Sequence, residues 1–197
     1  MESNPLYSDD TNVIEEYIKL NPRALIDQSL WYEKITPFIY AIIESRVDVV
    51  DLMIKYSVDV NLYKKSFLST PLIAACSHNN RKIIEILIAS GANGNIEDHW
   101  GKIPLHYAVS VTDDKNIINL LIPICNPNKL DNWGNTPLIT AIKWYASSEI
   151  IDILIDISHN INHTNIKGRS AMYYAIQQNE QENINILRLA GAQYIGC

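Results

Sequence analysis

A repeat with a period of roughly 33 residues is the feature that most constrains how this chain can fold. Five Thr-Pro-like pairs recur at nearly constant spacing, and they are Thr36-Pro37, Thr70-Pro71, Ile103-Pro104, Thr136-Pro137 and Ser170-Ala171. A second series keeps the same spacing and consists of Asn61, Asn95, Asn128 and Asn162. Two series in step predict an array of similar units, in which each unit packs on its neighbours.

Each unit reads as a pair of helices joined by turns. The Thr or Ser caps a short first helix, and Pro takes its first position, where a missing N–H costs nothing. An Ala recurs five residues after the cap, where a small side chain lets helices pack closely. A second helix follows with dense aliphatic residues, as in "IIEILIAS", and its spacing leaves one polar stripe. The pattern therefore predicts an all-α fold.

Three segments, "WGKIPLHYAV", "GNTPLITAI" and "SGANGN", carry a resemblance to the ankyrin repeat. The family pattern is a β-turn, Thr-Pro-Leu-His, a short helix, a longer helix and Gly-Ala-Asp-x-Asn. The resemblance extends over residues 36–194 and implies an ankyrin-repeat solenoid of paired antiparallel helices with short β-turn or hairpin fingers. The first two units depart from it, with Lys34 and Leu68 in place of the turn glycine.

The repeat spacing also sets the expected domain organisation. We expect five repeats over residues 36–197, starting near 36, 70, 103, 136 and 170, in a single solenoid domain. Residues 1–35 contain only one helix-like segment, "TNVIEEYIKL", and are interpreted as a degenerate N-terminal capping half-repeat. The last unit has Ser-Ala in place of Thr-Pro and no later unit to cover it. We expect it to be the weakest part of an otherwise monomeric chain, or a point of self-association.

Composition and charge exclude several classes of function. The net charge is −6, which argues against nucleic acid or an anionic membrane as a partner, because both require clustered Lys and Arg. The most apolar segments contain acidic residues and are too short to span a bilayer. Three widely spaced cysteines indicate neither a disulfide framework nor a zinc site. We expect a reducing compartment, the cytoplasm (the host cytoplasm for a viral protein), with the nucleus as the alternative.

The sequence offers no convincing catalytic or metal-binding motif. His159 and His163 are four residues apart, but they fall in a turn between units and lack the His-Glu-x-x-His pattern. His106 occupies the family's His position, which implies a structural hydrogen bond to neighbouring turn backbone. We therefore expect no enzyme activity, no cofactor and no metal. An enzyme with an unrecognised site is the alternative.

Aromatic residues at the tips of the fingers provide the candidate binding site. In ankyrin repeats, which this chain resembles, the residue before the turn glycine lies at the fingertip. The corresponding residues here are Glu33, Phe67, Trp100, Trp133 and Lys167. Rigidly displayed aromatic side chains are typical binding anchors; the alternative is that the rings cover neighbouring turns. The predicted partner contacts are Tyr32, Phe67, Trp100, Lys102, Trp133, Lys143 and Trp144.

Codon-related composition adds an expectation about origin. Ile, Asn, Lys and Tyr together far outnumber Gly, Ala, Arg and Pro, and this bias is typical of an AT-rich genome. A chain with this composition bias and degenerate repeats resembles the small viral ankyrin proteins of poxviruses. That resemblance implies a host-range factor or innate-immunity antagonist that binds a host protein.

Two other roles stay open at this stage. One is a cellular or viral scaffold or decoy, similar to the ankyrin inhibitors of Rel-family transcription factors, for which a basic segment would be the target. The other is the substrate-recruiting part of a ubiquitin-ligase adaptor. The chain ends at "AGAQYIGC", which leaves no room for an F-box-like segment, so this role would need a longer protein or another surface.

Overall fold

Helices make up all the regular structure in the part of the chain that the computed structural model describes, residues 5–21, 24–25, 36–62 and 70–196. The chain divides into two compact units, Met1–Ala92 and Asn93–Cys197. The first contains a 3-10 helix, Pro5–Tyr7, and helices α1 (Thr11–Leu20), α2 (Pro37–Ile43), α3 (Val47–Lys55), α4 (Pro71–Ser77) and α5 (Arg81–Ala89). The second contains α6 (Pro104–Val111), α7 (Lys115–Leu121), α8 (Pro137–Lys143), α9 (Ser148–Asp156), α10 (Ala171–Gln178) and α11 (Gln181–Leu189). The all-α prediction is confirmed. The single-domain expectation stays a prediction.

The recurring Thr or Ser residues act as N-caps. In four of the five repeats, the side-chain oxygen of this residue accepts a hydrogen bond from the N–H three residues later, at 3.0 to 3.2 Å. These caps are Thr36, Thr70, Thr136 and Ser170. Ile103 has no such oxygen, and its own N–H instead donates to Nδ1 of His106 at 3.3 Å. Each cap satisfies a backbone donor that the first helical turn leaves unpaired.

The asparagine series joins one repeat to the next. The Nδ2 group of each residue donates to a backbone carbonyl one repeat later, and the pairs are Asn61–Gly91, Asn95–Ile124, Asn128–Ile157 and Asn162–Gly191. In the second unit the Oδ1 atoms also accept from the N–H groups of Asn126, His159 and Gln193. These bonds explain why the spacing of the asparagines follows the repeat.

The core of each unit lies between neighbouring helix pairs. In the first unit α2 packs against α3 and α4, and in the second α8 packs against α6, α9 and α10. The recurring alanines lie at these contacts and are at most 2% exposed: Ala41, Ala75, Ala108, Ala141 and Ala175. No described helix has the length and apolar character required to cross a membrane.

The last repeat is covered in part by the residues that follow it. The Ser170 N–H donates to the Ile195 carbonyl at 2.9 Å, and the ring of Tyr194 stacks on Tyr173 with centroids 5.8 Å apart. Leu187 of α11 is buried, but Leu189 is 89% exposed. The expectations that this unit frays first and that the chain is a monomer stay predictions.

Candidate functional site

Three turns in the second unit have the same backbone geometry. We name them the third finger (residues 98–102), the fourth finger (131–135) and the fifth finger (165–169). In each, Oδ1 of the first residue accepts from the N–H groups two and four residues later, at 2.8 to 3.2 Å. A glycine at the fourth position has φ of +67° to +73°, a conformation that favours Gly. Asp or Asn at the start and Gly near the end therefore fix each turn.

Neighbouring fingers are bonded to each other. The Asn132 N–H donates to the Trp100 carbonyl at 2.9 Å, and the Ile166 N–H donates to the Trp133 carbonyl at 3.0 Å. Nδ2 of Asn165 donates to Oδ1 of Asn135 at 2.9 Å. The three fingers thus form one hydrogen-bonded edge, which fixes the backbone that carries the fingertip side chains.

Two histidines hold the fourth finger from either side. Nε2 of His106, on α6, bonds the Asn135 carbonyl at 3.3 Å, and Nε2 of His163 bonds the Gly134 carbonyl at 2.9 Å. His106 is fully buried, and this burial lowers its pKa to about 4. The ring is therefore neutral at pH 7, accepting at Nδ1 and donating at Nε2. The structural role implied for His106 agrees with this geometry.

A depression of about 320 Å³ lies beside the fourth finger. Its lining combines exposed aromatic and aliphatic side chains with lysines and a buried polar base. The lining residues are Lys102, Asp131, Trp133, Asn135, Thr140, Lys143, Trp144, Asn165, Ile166, Lys167 and Tyr174. A small concave surface with a few convergent polar groups is the usual form of a binding site.

The two indoles in this lining face solvent. Trp133 is 42% exposed and Trp144 is 60% exposed. Nζ of Lys102 lies 5.7 Å from the centroid of the Trp133 ring, and Nζ of Lys143 lies 5.4 Å from that of Tyr174. Cations at these distances from aromatic rings are attracted by the ring quadrupole. The lysine side chains are therefore held over the aromatic lining.

Trp100 has different surroundings from Trp133, although both are third-position residues of a finger. Its ring is half-buried and lies against the imidazole of His99, with centroids 3.8 Å apart and planes at 42°. It does not line the depression.

The structure thus brings together four of the seven residues predicted from the sequence: Lys102, Trp133, Lys143 and Trp144. Trp100 is separate, and Tyr32 and Phe67 lie outside the described residues.

Sequence reasoning missed Ile166, Lys167 and Tyr174 as members of the same surface. The sequence identifies Lys167 as a fingertip, but the predicted partner contacts do not include it. Tyr174 lies on α10, four residues after the N-cap Ser170. The same position in the third repeat is Tyr107, whose hydroxyl donates to Oδ2 of Asp98 at 2.5 Å. Burial and this hydrogen bond raise the pKa of the Tyr107 phenol. In the fifth finger, Nδ2 of Asn165 donates to the Tyr174 hydroxyl at 2.9 Å.

The described residues show no grouping suited to metal binding, and Cys125 is not an activated nucleophile. Among them, no three His, Cys, Asp or Glu side chains converge as a ligand set. Burial raises the pKa of the Cys125 thiol to about 12, so it stays protonated at neutral pH and is a poor nucleophile.

Comparison with known proteins agrees with the geometry. The model of the family described as "Ankyrin repeats (3 copies)" matches residues 6–98 and 105–195. The chain is 36% identical over 74 residues to a protein of fowlpox virus (strain NVSL) named as the ankyrin repeat protein FPV216. The aligned region covers 38% of this chain and 25% of that protein. It is 44% identical over 48 residues to FPV233 of the same virus, also named as an ankyrin repeat protein, covering 24% of this chain and 9% of that protein.

The matches to the fowlpox virus proteins span a quarter of those relatives or less, whereas the family model spans most of this chain. The repeat series, the N-caps and the fingers that begin with Asp or Asn and contain Gly agree with that match. The chain belongs to the ankyrin repeat family, a family of non-enzymatic modules for protein–protein interaction.

Proposed function

We propose that this chain binds a host protein through the depression beside the fourth finger and thereby antagonises an innate-immunity or host-restriction factor. The observation that carries the proposal is the convergence of two exposed indoles, Trp133 and Trp144, with three lysines around one concave surface. Trp residues that display large area at low conformational entropy are the usual anchors of protein interfaces.

The rigidity of the surroundings supports this role. The fourth finger is bonded to both neighbouring fingers and to two histidines, so Trp133 needs little further ordering when a partner binds. A preorganised side chain loses less conformational entropy on association, and more of the contact energy appears as affinity.

Similarity to fowlpox virus ankyrin repeat proteins supports the viral part of the proposal. Ankyrin repeats act by binding other proteins, so a viral member of the family is expected to act on its host through host proteins. We place this binding in the host cytoplasm.

The proposal is tested by affinity capture from cells that express the chain, with quantitative mass spectrometry. Three forms are compared: wild type, the double variant Trp133→Ala/Trp144→Ala, and Trp100→Ala. We expect at least one host protein to be retained by Trp100→Ala and lost by the double variant. With the purified host protein, the double variant should weaken binding by about 2 kcal/mol or more, as expected for interface anchors.

Thermal unfolding of each form provides the control, because both replaced side chains are exposed and the double variant should remain folded. A folded double variant that binds every host protein as the wild type does would overturn the proposed site. A host signalling reporter in the same cells tests the antagonism separately. We expect the wild type to suppress the reporter and the double variant not to.

A further inference from the structure

We infer that the partner segment seated in the depression is acidic, with carboxylate side chains next to an aromatic or aliphatic one. This inference deepens the proposed function and rests on it, since it concerns the same depression. Its basis is the local charge of the lining, which is opposite in sign to that of the whole chain.

Three lysines line the depression, and none of them forms an ion pair among the described residues. Lys102, Lys143 and Lys167 line it. The ion pairs that form among the described residues involve other basic side chains, and none includes these three. The whole chain has a net charge of −6, whereas the three lysines give this concave surface a positive local charge.

The single acidic residue in the lining, Asp131, offsets one of the three positive charges but is not available to a partner. Asp131 is buried, and its carboxylate accepts hydrogen bonds from the N–H groups of Trp133 and Asn135 and from the Asn135 side chain, at 2.8 to 3.2 Å. Its oxygens are therefore committed to the turn. A partner meets the lysines and not this carboxylate.

The apolar part of the lining indicates the second feature of the partner segment, an aromatic or aliphatic side chain. Trp133, Trp144 and Ile166 are exposed, Ile166 by 70%. An apolar side chain of the partner would cover this surface while neighbouring carboxylates pair with the lysines. Burying the apolar contact also lowers the local dielectric constant, which strengthens the charge pairs. A basic segment, the target of a Rel-type decoy, would instead meet three like charges, and such a juxtaposition is unfavourable.

A nucleic acid fits these observations less well. Phosphate backbones are bound by extended basic surfaces, whereas here only three lysines line a small depression in an acidic chain. We therefore commit to a protein segment that carries Asp or Glu.

The test is a selection of displayed random short peptides on the full chain, followed by affinity measurement of the selected peptides as labelled synthetic probes. We expect Asp or Glu beside Phe, Leu, Ile or Trp to be enriched, and Lys and Arg to be depleted. Binding should weaken as salt concentration rises, because screening reduces the charge attraction.

Matched lysine variants decide whether the depression is responsible. The triple variant Lys102→Gln/Lys143→Gln/Lys167→Gln should bind the selected peptides about tenfold or more weakly. The control, Lys82→Gln/Lys115→Gln/Lys129→Gln, has the same change in net charge at lysines that pair with glutamates and do not line the depression. It should bind as the wild type does.

The outcomes separate this inference from the proposed function. Peptides without acidic enrichment that bind in a Trp133- and Trp144-dependent manner would overturn the inference and leave the binding site standing. Acidic peptides that bind the lysine variant and its control equally would also overturn it, as would an empty selection or tighter binding of a labelled single-stranded DNA. Failure of the proposed function is detected separately, as a folded Trp133→Ala/Trp144→Ala variant that binds the host proteins as the wild type does.

Discussion

The third and fourth fingers have the same turn but present their tryptophans differently. In both, an aspartate oxygen accepts the N–H of the Trp and the N–H two residues further on, and a glycine with φ of +73° follows the Trp. Yet Trp100 lies against His99, whereas Trp133 is exposed beside Lys102 in the lining of the depression. The turn positions the side chain, but the neighbouring residues decide what its ring faces.

The residue before each Trp illustrates this difference. His99 supplies a flat ring that covers Trp100. The corresponding residue in the fourth finger is Asn132, whose side chain donates to the His99 carbonyl at 3.0 Å and so bonds back to the third finger. The two fingers therefore differ in the residue before the Trp as well as in the surroundings of its ring.

The largest expected effect comes from removing the acceptor that both fingers share. Asp98→Ala and Asp131→Ala each leave two turn N–H groups without their partner. Each also removes one further side-chain partner, the Tyr107 hydroxyl from Asp98 and the Asn135 amide from Asp131. We expect each to lower the free energy of unfolding by about 3 kcal/mol, since an unsatisfied buried donor costs roughly 1–3 kcal/mol. Chemical denaturation measures both, and clearly unequal losses would show that the two turns are not equivalent.

The fifth finger supplies a control for this prediction. There Asn165 keeps the two Oδ1 bonds, and its Nδ2 group donates to the Tyr174 hydroxyl, reversing the bond from Tyr107 to Asp98. Asp98→Asn should therefore cost less than about 1 kcal/mol. An Asn variant as unstable as the Ala variant would contradict the assigned role of the aspartate.

Lowering the pH should reduce the stability of the fold through His106, the buried residue that supports the fourth finger. The unfolded chain binds a proton at this ring near the ordinary pKa of 6.5, whereas in the folded chain burial lowers the pKa to about 4. Between these values the unfolded state holds the additional proton, so stability falls as the pH falls. The charged groups that act on the ring are Asp131, Lys102 and Asp98.

We expect the loss between pH 7 and pH 4 that is due to His106 to be about 2–3 kcal/mol, at roughly 1.36 kcal/mol per pKa unit. It is measured as the difference in pH dependence between wild type and His106→Gln, which cancels the carboxylates that titrate in the same range. Identical pH profiles would show that the buried ring does not control the acid response.

A smaller effect should distinguish the fourth finger from the fifth at their glycines. A Cβ at Gly134 would lie 3.1 Å from the Ile166 nitrogen and 3.3 Å from the Asn165 Cα, whereas a Cβ at Gly168 would meet nothing within 4 Å. Both Ala variants bear the cost of a positive φ, about 1 kcal/mol. Only Gly134→Ala must also push the next finger away, for which we expect about 1 kcal/mol more. Equal losses would contradict the close packing of these two fingers.

The fold could be predicted from the sequence because its determinants are local or periodic. The Thr and Ser caps act over three residues, and the Asp-Gly turns close within five. The asparagines bond the backbone one repeat later, so their spacing reflects the structure directly. The third repeat shows how robust this is, since His106 accepts the Ile103 N–H where a Thr cap is missing.

The candidate site could be predicted only in part. The fingertip rule identified Trp133 correctly as an exposed residue, but it treated Trp100 as equivalent because both precede a glycine. The difference depends on how His99 and Asn132 pack, and a repeat pattern does not contain that information. Tyr174 and Ile166 were missed because they join the surface through contacts between repeats.

The most direct test of the binding site uses the four tryptophans of the chain as probes. The chain is labelled with 5-fluorotryptophan, each ¹⁹F signal is assigned by single Trp→Phe substitutions, and the captured host protein is added to saturation. We predict that the signals of Trp133 and Trp144 shift or broaden while that of Trp100 does not change. Unchanged signals of Trp133 and Trp144 in a saturated complex would contradict the assignment of the depression as the binding surface.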